Sequence, residues 1–136
     1  MTVRPRDEDL VRALVLKAEH DLLNIENNLV AREIPWDTIG FHAQQCVEKY
    51  LKALLVFRQI DPPKMHDLTE LYALLPGGLL VDLDTRLLEE LNPYSIEGRY
   101  PGVWEPVEQV EALRAVEAAR TIRQAIRRIL PPPCTI

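Results

Sequence analysis

Apolar residues recur along this chain at steps of three and four, the period of a helix rather than a strand. The clearest stretch is Trp36 to Arg58, where Trp36, Ile39, Ala43, Val47, Tyr50, Leu54 and Phe57 trace one helical face. Leu51 and Leu55 widen that face, as expected of the inner helix of a bundle. The other side carries His42, Gln45, Lys49 and Lys52, with Gln44 and Glu48 alongside. Glu48 precedes Lys52 by four residues, the favourable order for a helix ion pair, which contributes about 0.2–0.5 kcal/mol.

The remaining elements follow from the same period and its interruptions. A first helix is predicted from about Asp7 to Ala31, with Leu10, Leu14, Ala18, Leu22 (or Leu23), Ile25 and Leu29 on one side. Asp7, Glu8 and Asp9 suit its positive N-terminal end. Ile34-Pro35 breaks it, and Asp37 or a neighbour opens the central helix, which FRQIDPP (57–63) closes. MHDLTELYALLP predicts a short third helix ending at Pro76, then a Gly77-Gly78 turn. A fourth helix is expected from about Asp82 to Asn92, capped by Asp84 or Asp82. Pro93, Gly98, Pro101, Gly102 and Pro106 make the next stretch largely irregular. That stretch also holds Tyr94, Arg99, Tyr100 and Trp104, so it either docks on the bundle or forms a binding surface. Residues 107–130 predict a last helix with a seam of Ala112, Val116, Ala119, Ile122, Ile126 and Ile129. Arg120, Arg123 and Arg127 share another of its faces, and Pro131-Pro132-Pro133 ends it. The expectation is one all-α domain over residues 1–136, with its core at about 7–130 and a tail at 131–136.

Composition narrows the function classes. A chain of 136 residues suits a single core. No run approaches the roughly 18 apolar residues of a membrane span, and MTVRPRDEDL has no apolar core of a secretory signal. Cys46 and Cys134 do not make a disulfide framework, so reduced thiols and a cytoplasmic setting are expected. The net charge of −5 argues against a general nucleic-acid coat protein. A local basic patch exists all the same, formed by Arg114, Arg120, Arg123, Arg127 and Arg128.

Three segments in order, FHAQQCVEKYLKALLV (41–56), PPKMHDL (62–68) and Tyr94 followed by RYPG (99–102), resemble the HEPN domain family. The resemblance covers about Leu10 to Leu130. It implies an up-and-down antiparallel bundle of four to five helices, commonly a homodimer. It also implies, for prokaryotic members, a role beside a minimal nucleotidyltransferase, as its substrate-binding partner or as a toxin to its antitoxin. Many members are metal-independent ribonucleases with an Arg, four to six residues, then a His. Measured from Arg99, that His would fall on Trp104, Glu105 or Pro106, and Arg58 is separated from His66 by seven residues. The ribonuclease pattern is absent as written.

The candidate residues each carry two readings. His66, before Asp67-Leu68, would contact phosphate or move a proton with a pKa of about 6.5, or would lock the turn with its ring on backbone. Arg99 would grip a phosphate while Tyr100 or Trp104 stacks on a base, or Arg99 would latch its loop to Glu48. His42 and Cys46 have the spacing for two zinc ligands, but no further ligands fall at readable spacing, so no metal and no cofactor is expected. Lys49, Lys52 and Lys64 are candidates for phosphate, against a solvated face or a subunit contact. The arginines of the last helix would dock RNA or a partner, or would only offset the helix dipole.

The preferred expectation is a non-catalytic binding module, partnering a minimal nucleotidyltransferase and engaging nucleotide or RNA through Arg99, Tyr100, His66, Lys49, Lys52 and Lys64. One alternative is a diverged ribonuclease with His66 as acid/base and Arg99 stabilising the phosphorane. The other is a purely structural homodimer.

Overall fold

The protein is described by a computed structural model over residues 5–80, 82–95 and 106–135. Its elements are α1 (Pro5–Leu29), α2 (Trp36–Phe57), α3 (Leu68–Ala73), α4 (Arg86–Leu91), a 3-10 turn at Asn92–Tyr94, α5 (Gln109–Ile129) and a 3-10 turn at Pro132–Cys134. There is no strand among the described residues. The chain is all-α among the described residues, as the helical periods imply, and its architecture is the up-and-down bundle that the family resemblance implies.

Helix α2 is the axis. Fourteen of its 22 residues are buried, and it touches α1, α3, α4, α5 and the Asn92–Tyr94 turn. Val11, Val15, Ala18, Leu22 and Ile25 of α1 close one side of it, in steps of three and four. Ala112, Ala115, Val116, Ala119, Ile122 and Ile126 of α5 close another. The alanines of that seam keep α5 near the α2 backbone, where larger residues would hold it off.

Physical signals in the sequence set the helix ends, with some displacement. α2 ends in a Schellman turn: Ile60 N–H donates to Leu55 O at 2.8 Å and Gln59 N–H to Val56 O at 2.9 Å. Gln59 takes the left-handed φ of 62° that a glycine usually supplies there. α3 is shorter than MHDLTELYALLP suggests. Asp67 is its cap, and its carboxylate accepts from the Thr69 and Glu70 N–H groups, so His66 lies outside the helix. α4 is likewise confined to Arg86–Leu91, with Thr85 rather than Asp82 or Asp84 at the cap position. Asp84 still accepts from Arg86 N–H at 3.0 Å.

Two close approaches position the irregular chain after α4. Asn92 Oδ1 accepts from Leu68 N–H at 2.8 Å, and its amide donates to Asp67 Oδ1 at 3.2 Å. Tyr94 lies flat against Gly40 of α2, where an added Cβ would sit 2.7 Å from Tyr94 Cδ1. Residue 40 therefore has to be small. At the far end, the tail after α5 packs on the bundle: Cys134 is buried and the 3-10 turn contacts α1.

Candidate functional site

The polar strip of α2 does not face open solvent along its length. It divides between two buried carboxylates, each holding one histidine and one lysine.

Glu48 is the first. Its side chain is only 6% exposed, and it accepts from His66 Nδ1 at 2.8 Å and Lys52 Nζ at 3.3 Å. Gln45 approaches the same carboxylate at 3.4 Å, and Gln45 also donates to Gln44 Oε1 at 2.8 Å. Gln44, fully buried, donates to the His66 carbonyl at 2.8 Å. Both ends of His66 are thus fixed by one turn of α2, the backbone by Gln44 and the ring by Glu48. The imidazole is nevertheless 70% exposed, and its Nε2 has no hydrogen-bond partner among the described residues. A carboxylate on Nδ1 favours the proton there and turns Nε2 outward. Lys64, two residues away, is exposed and makes no ion pair among the described residues.

Asp21 of α1 is the second hub. It accepts from His42 Nδ1 at 2.8 Å and from Lys49 Nζ at 2.5 Å. Lys49 therefore leans toward α1 and away from His66, and it does not join Lys52 on the Glu48 side. His42 is committed to Asp21, and no group of three or more metal-ligating side chains exists among the described residues.

A third cluster lies between α1, α2 and α5. Tyr50 O–H donates to Glu19, and Arg123 grips the same carboxylate through Nε and Nη2, both at 2.7 Å. Arg127 donates to the Tyr50 oxygen at 3.0 Å and to the Thr135 carbonyl at 2.6 Å. Burial alone raises the Glu19 pKa, but the hydrogen bonds from Arg123 and Tyr50 outweigh it and hold the carboxyl below its ordinary value. Burial and the Glu19 carboxylate push the Tyr50 phenol up. Burial, with Asp21 and Glu19 nearby, pushes the Cys46 thiol up to about 12. Of the arginines expected to share a face of α5, Arg123 and Arg127 are partly buried and bonded to Glu19, Tyr50 and the Thr135 carbonyl, whereas Arg120 is exposed.

The His66 ring bonds a carboxylate, not the backbone, which departs from the turn-locking alternative in its partner. Glu48, expected to pair with Arg99 in the latch alternative, is occupied by His66 and Lys52. Arg99, Tyr100 and Trp104 lie outside the described residues. The sequence reading places Gln44 on the polar strip without its partner and does not single out Asp21 or Glu19. Asp21 interrupts the apolar side of α1 beside Leu22, the one signal that could have drawn notice.

The HEPN domain family model matches residues 11–129. A crystal structure of TT1696 from Thermus thermophilus is similar to this chain at 28% identity and a TM-score of 0.74. The match covers 88% of this chain and 98% of that one. No curated protein matches the chain. With the family match spanning α1 to α5 and the fold agreeing, this chain belongs to the HEPN domain family.

Proposed function

We propose that this protein is a binding module that presents His66, with Lys52 and Lys64, to a phosphate-bearing ligand, nucleotide or RNA. The observation that carries it is the Glu48–His66 pair: a buried carboxylate holds an imidazole whose far nitrogen faces outward. Orientation of this kind is costly to assemble for packing alone, because it leaves a charged oxygen inside the bundle. Lys52 and Lys64 bring two positive charges to the site, set against the Glu48 and Asp67 carboxylates. Protonated, His66 donates Nε2–H to a phosphate oxygen in a charge-assisted bond.

Arg99 and Tyr100 belong to the same proposal through chain connectivity. Asn92 bonds Asp67, next to His66, and Arg99 lies four residues beyond Ser95. Lys49, tied to Asp21, would act only at the edge of such a site. The resemblance to prokaryotic family members supports a minimal nucleotidyltransferase as the protein partner. Co-purification with a minimal nucleotidyltransferase tests that part.

A second reading, a diverged metal-independent ribonuclease, is favoured by the same pair, since a carboxylate that orients an imidazole also equips it for proton transfer. Incubation with tRNA in EDTA separates the two. The binding module retains RNA intact, with affinity lost in His66→Ala. Cleavage that His66→Ala abolishes would establish the ribonuclease. Neither binding nor cleavage would leave a structural module.

A further inference from the structure

The wiring around Glu48 is repeated on the other flank of α2. Asp21 offers one carboxylate oxygen to His42 Nδ1 at 2.8 Å and the other to Lys49 Nζ at 2.5 Å. Glu48 divides its two oxygens between His66 and Lys52 in the same way. Asp21 is only 8% exposed, whereas His42 and Lys49 are 19% and 25% exposed. The carboxylate is covered by its own partners, so a ligand approaching from outside meets the imidazole and the ammonium. His42 Nε2 has no hydrogen-bond partner among the described residues. The buried side-chain polar atom left without a partner among them is Arg58 Nε, so His42 Nε2 is open to solvent.

Phe41 stands beside this set. Its ring meets the His42 imidazole edge-on, with centroids 5.2 Å apart and planes at 76°. It is half-buried and takes no part in the hydrophobic core among the described residues. Phe41 precedes Glu48 by seven positions, about two turns, which places it on the Glu48 side of His42. An aromatic ring left at the edge of a polar, lysine-bearing strip is a platform on which a base stacks.

We propose that His42 and Lys49 form a second phosphate subsite, and that the ligand is a single-stranded oligonucleotide with one phosphate at each histidine and a base on Phe41. The inference rests on the His66 site proposed above and names its ligand class. Glu48 follows His42 by six positions, about 9 Å along the helix axis and about a third of a turn around it. The two imidazoles therefore serve different flanks of the strip. A hydrogen bond spans about 3 Å, so a lone phosphate meets one flank at a time, whereas two phosphates of one strand meet both. Lys17, four positions before Asp21 on the same face of α1, is exposed and makes no ion pair among the described residues. It adds positive charge on the His42 flank.

Titration with thymidine 5′-monophosphate and with hexathymidylate, followed at the histidine ring protons, tests this. A DNA strand serves because a ribonuclease would not cleave it. The expected result is that hexathymidylate shifts the His66 and His42 protons with one common affinity, at least about tenfold tighter than the monophosphate shows at His66. His42→Gln should remove that gain and leave the monophosphate affinity at His66 unchanged. Phe41→Ala should weaken hexathymidylate about fivefold or more, and linear polyphosphate should be indifferent to it. Should His42→Gln not fold, the ring-proton shifts of the unaltered protein carry the test. Hexathymidylate that leaves His42 unshifted, gains nothing over the monophosphate or is indifferent to His42→Gln overturns the second subsite and leaves the His66 site standing. Polyphosphate that binds as tightly as hexathymidylate overturns the oligonucleotide as the ligand. No shift at His66 with either nucleotide ligand overturns the Glu48–His66 site, and this inference with it.

Discussion

Glu48 and His66 stand eighteen positions apart in the chain and 2.8 Å apart in the fold, a buried carboxylate holding an exposed imidazole. The pair joins the central helix to the turn that starts α3. Removing the carboxylate while keeping its shape isolates its role. Glu48→Gln should weaken phosphate-ligand binding by about tenfold, the loss of roughly one charge-assisted hydrogen bond. His66→Gln should weaken it similarly. Titration calorimetry on both variants checks this, and an affinity unchanged in Glu48→Gln would show the carboxylate to be structural only.

Acid stability should depend on Glu19. Its folded-state pKa is depressed, so its contribution is present above the unfolded value and is lost as pH falls through the folded one. Wild-type stability should therefore decline below about pH 4.5, the ordinary range of a glutamate. Glu19→Gln should be less stable at neutral pH and flatter across that window. Urea unfolding at a series of pH values reads both effects, and parallel curves for the two proteins would remove Glu19 from the cause.

Gly40→Ala should destabilise the protein by about 1–3 kcal/mol through the forced displacement of Tyr94, less whatever helix propensity returns, up to about 1 kcal/mol. In a Tyr94→Ala background the same change should be neutral or favourable. Thermal unfolding of the four proteins of that cycle gives the coupling.

Gln59→Gly should raise stability by up to about 1 kcal/mol, because residue 59 holds a left-handed φ in the Schellman turn. The midpoint of urea unfolding should rise without a change in slope.

Cys46 should resist alkylation in the native state, since it is buried and its thiol pKa stands at about 12. Native protein at pH 8 should label at Cys46 only as fast as it unfolds, with full reaction in denaturant. Mass spectrometry after iodoacetamide pulses checks it.

The bundle is legible because a buried helix must repeat its apolar residues at its own period, and α2 and α5 do so, with Gln44 and Glu48 the polar residues buried alongside on α2. The helix ends were less so. Nothing in Met65-His66-Asp67 forbids a first helical turn, and the side-chain bonds of Asp67 decide that α3 begins at Leu68. The polar residues were the hardest to place. Arg123 and Glu19 lie 104 positions apart, and nothing in the local pattern of either names the other. A charge on a helix face looks the same in sequence whether it meets water or a buried carboxylate. His66 stood out by its place before a helix start, whereas Asp21 and Gln44, which settle where the lysines and the turn go, carried no comparable mark.

The most direct test of the binding site is a ¹⁵N chemical-shift titration of the intact protein with a nucleoside triphosphate. The expected result is saturable shifts concentrated at His66, Gln45, Lys52 and Lys64, absent in His66→Ala. Saturable shifts centred on the far side of α1 or α5, or none at all, would contradict a phosphate site at the Glu48–His66 pair.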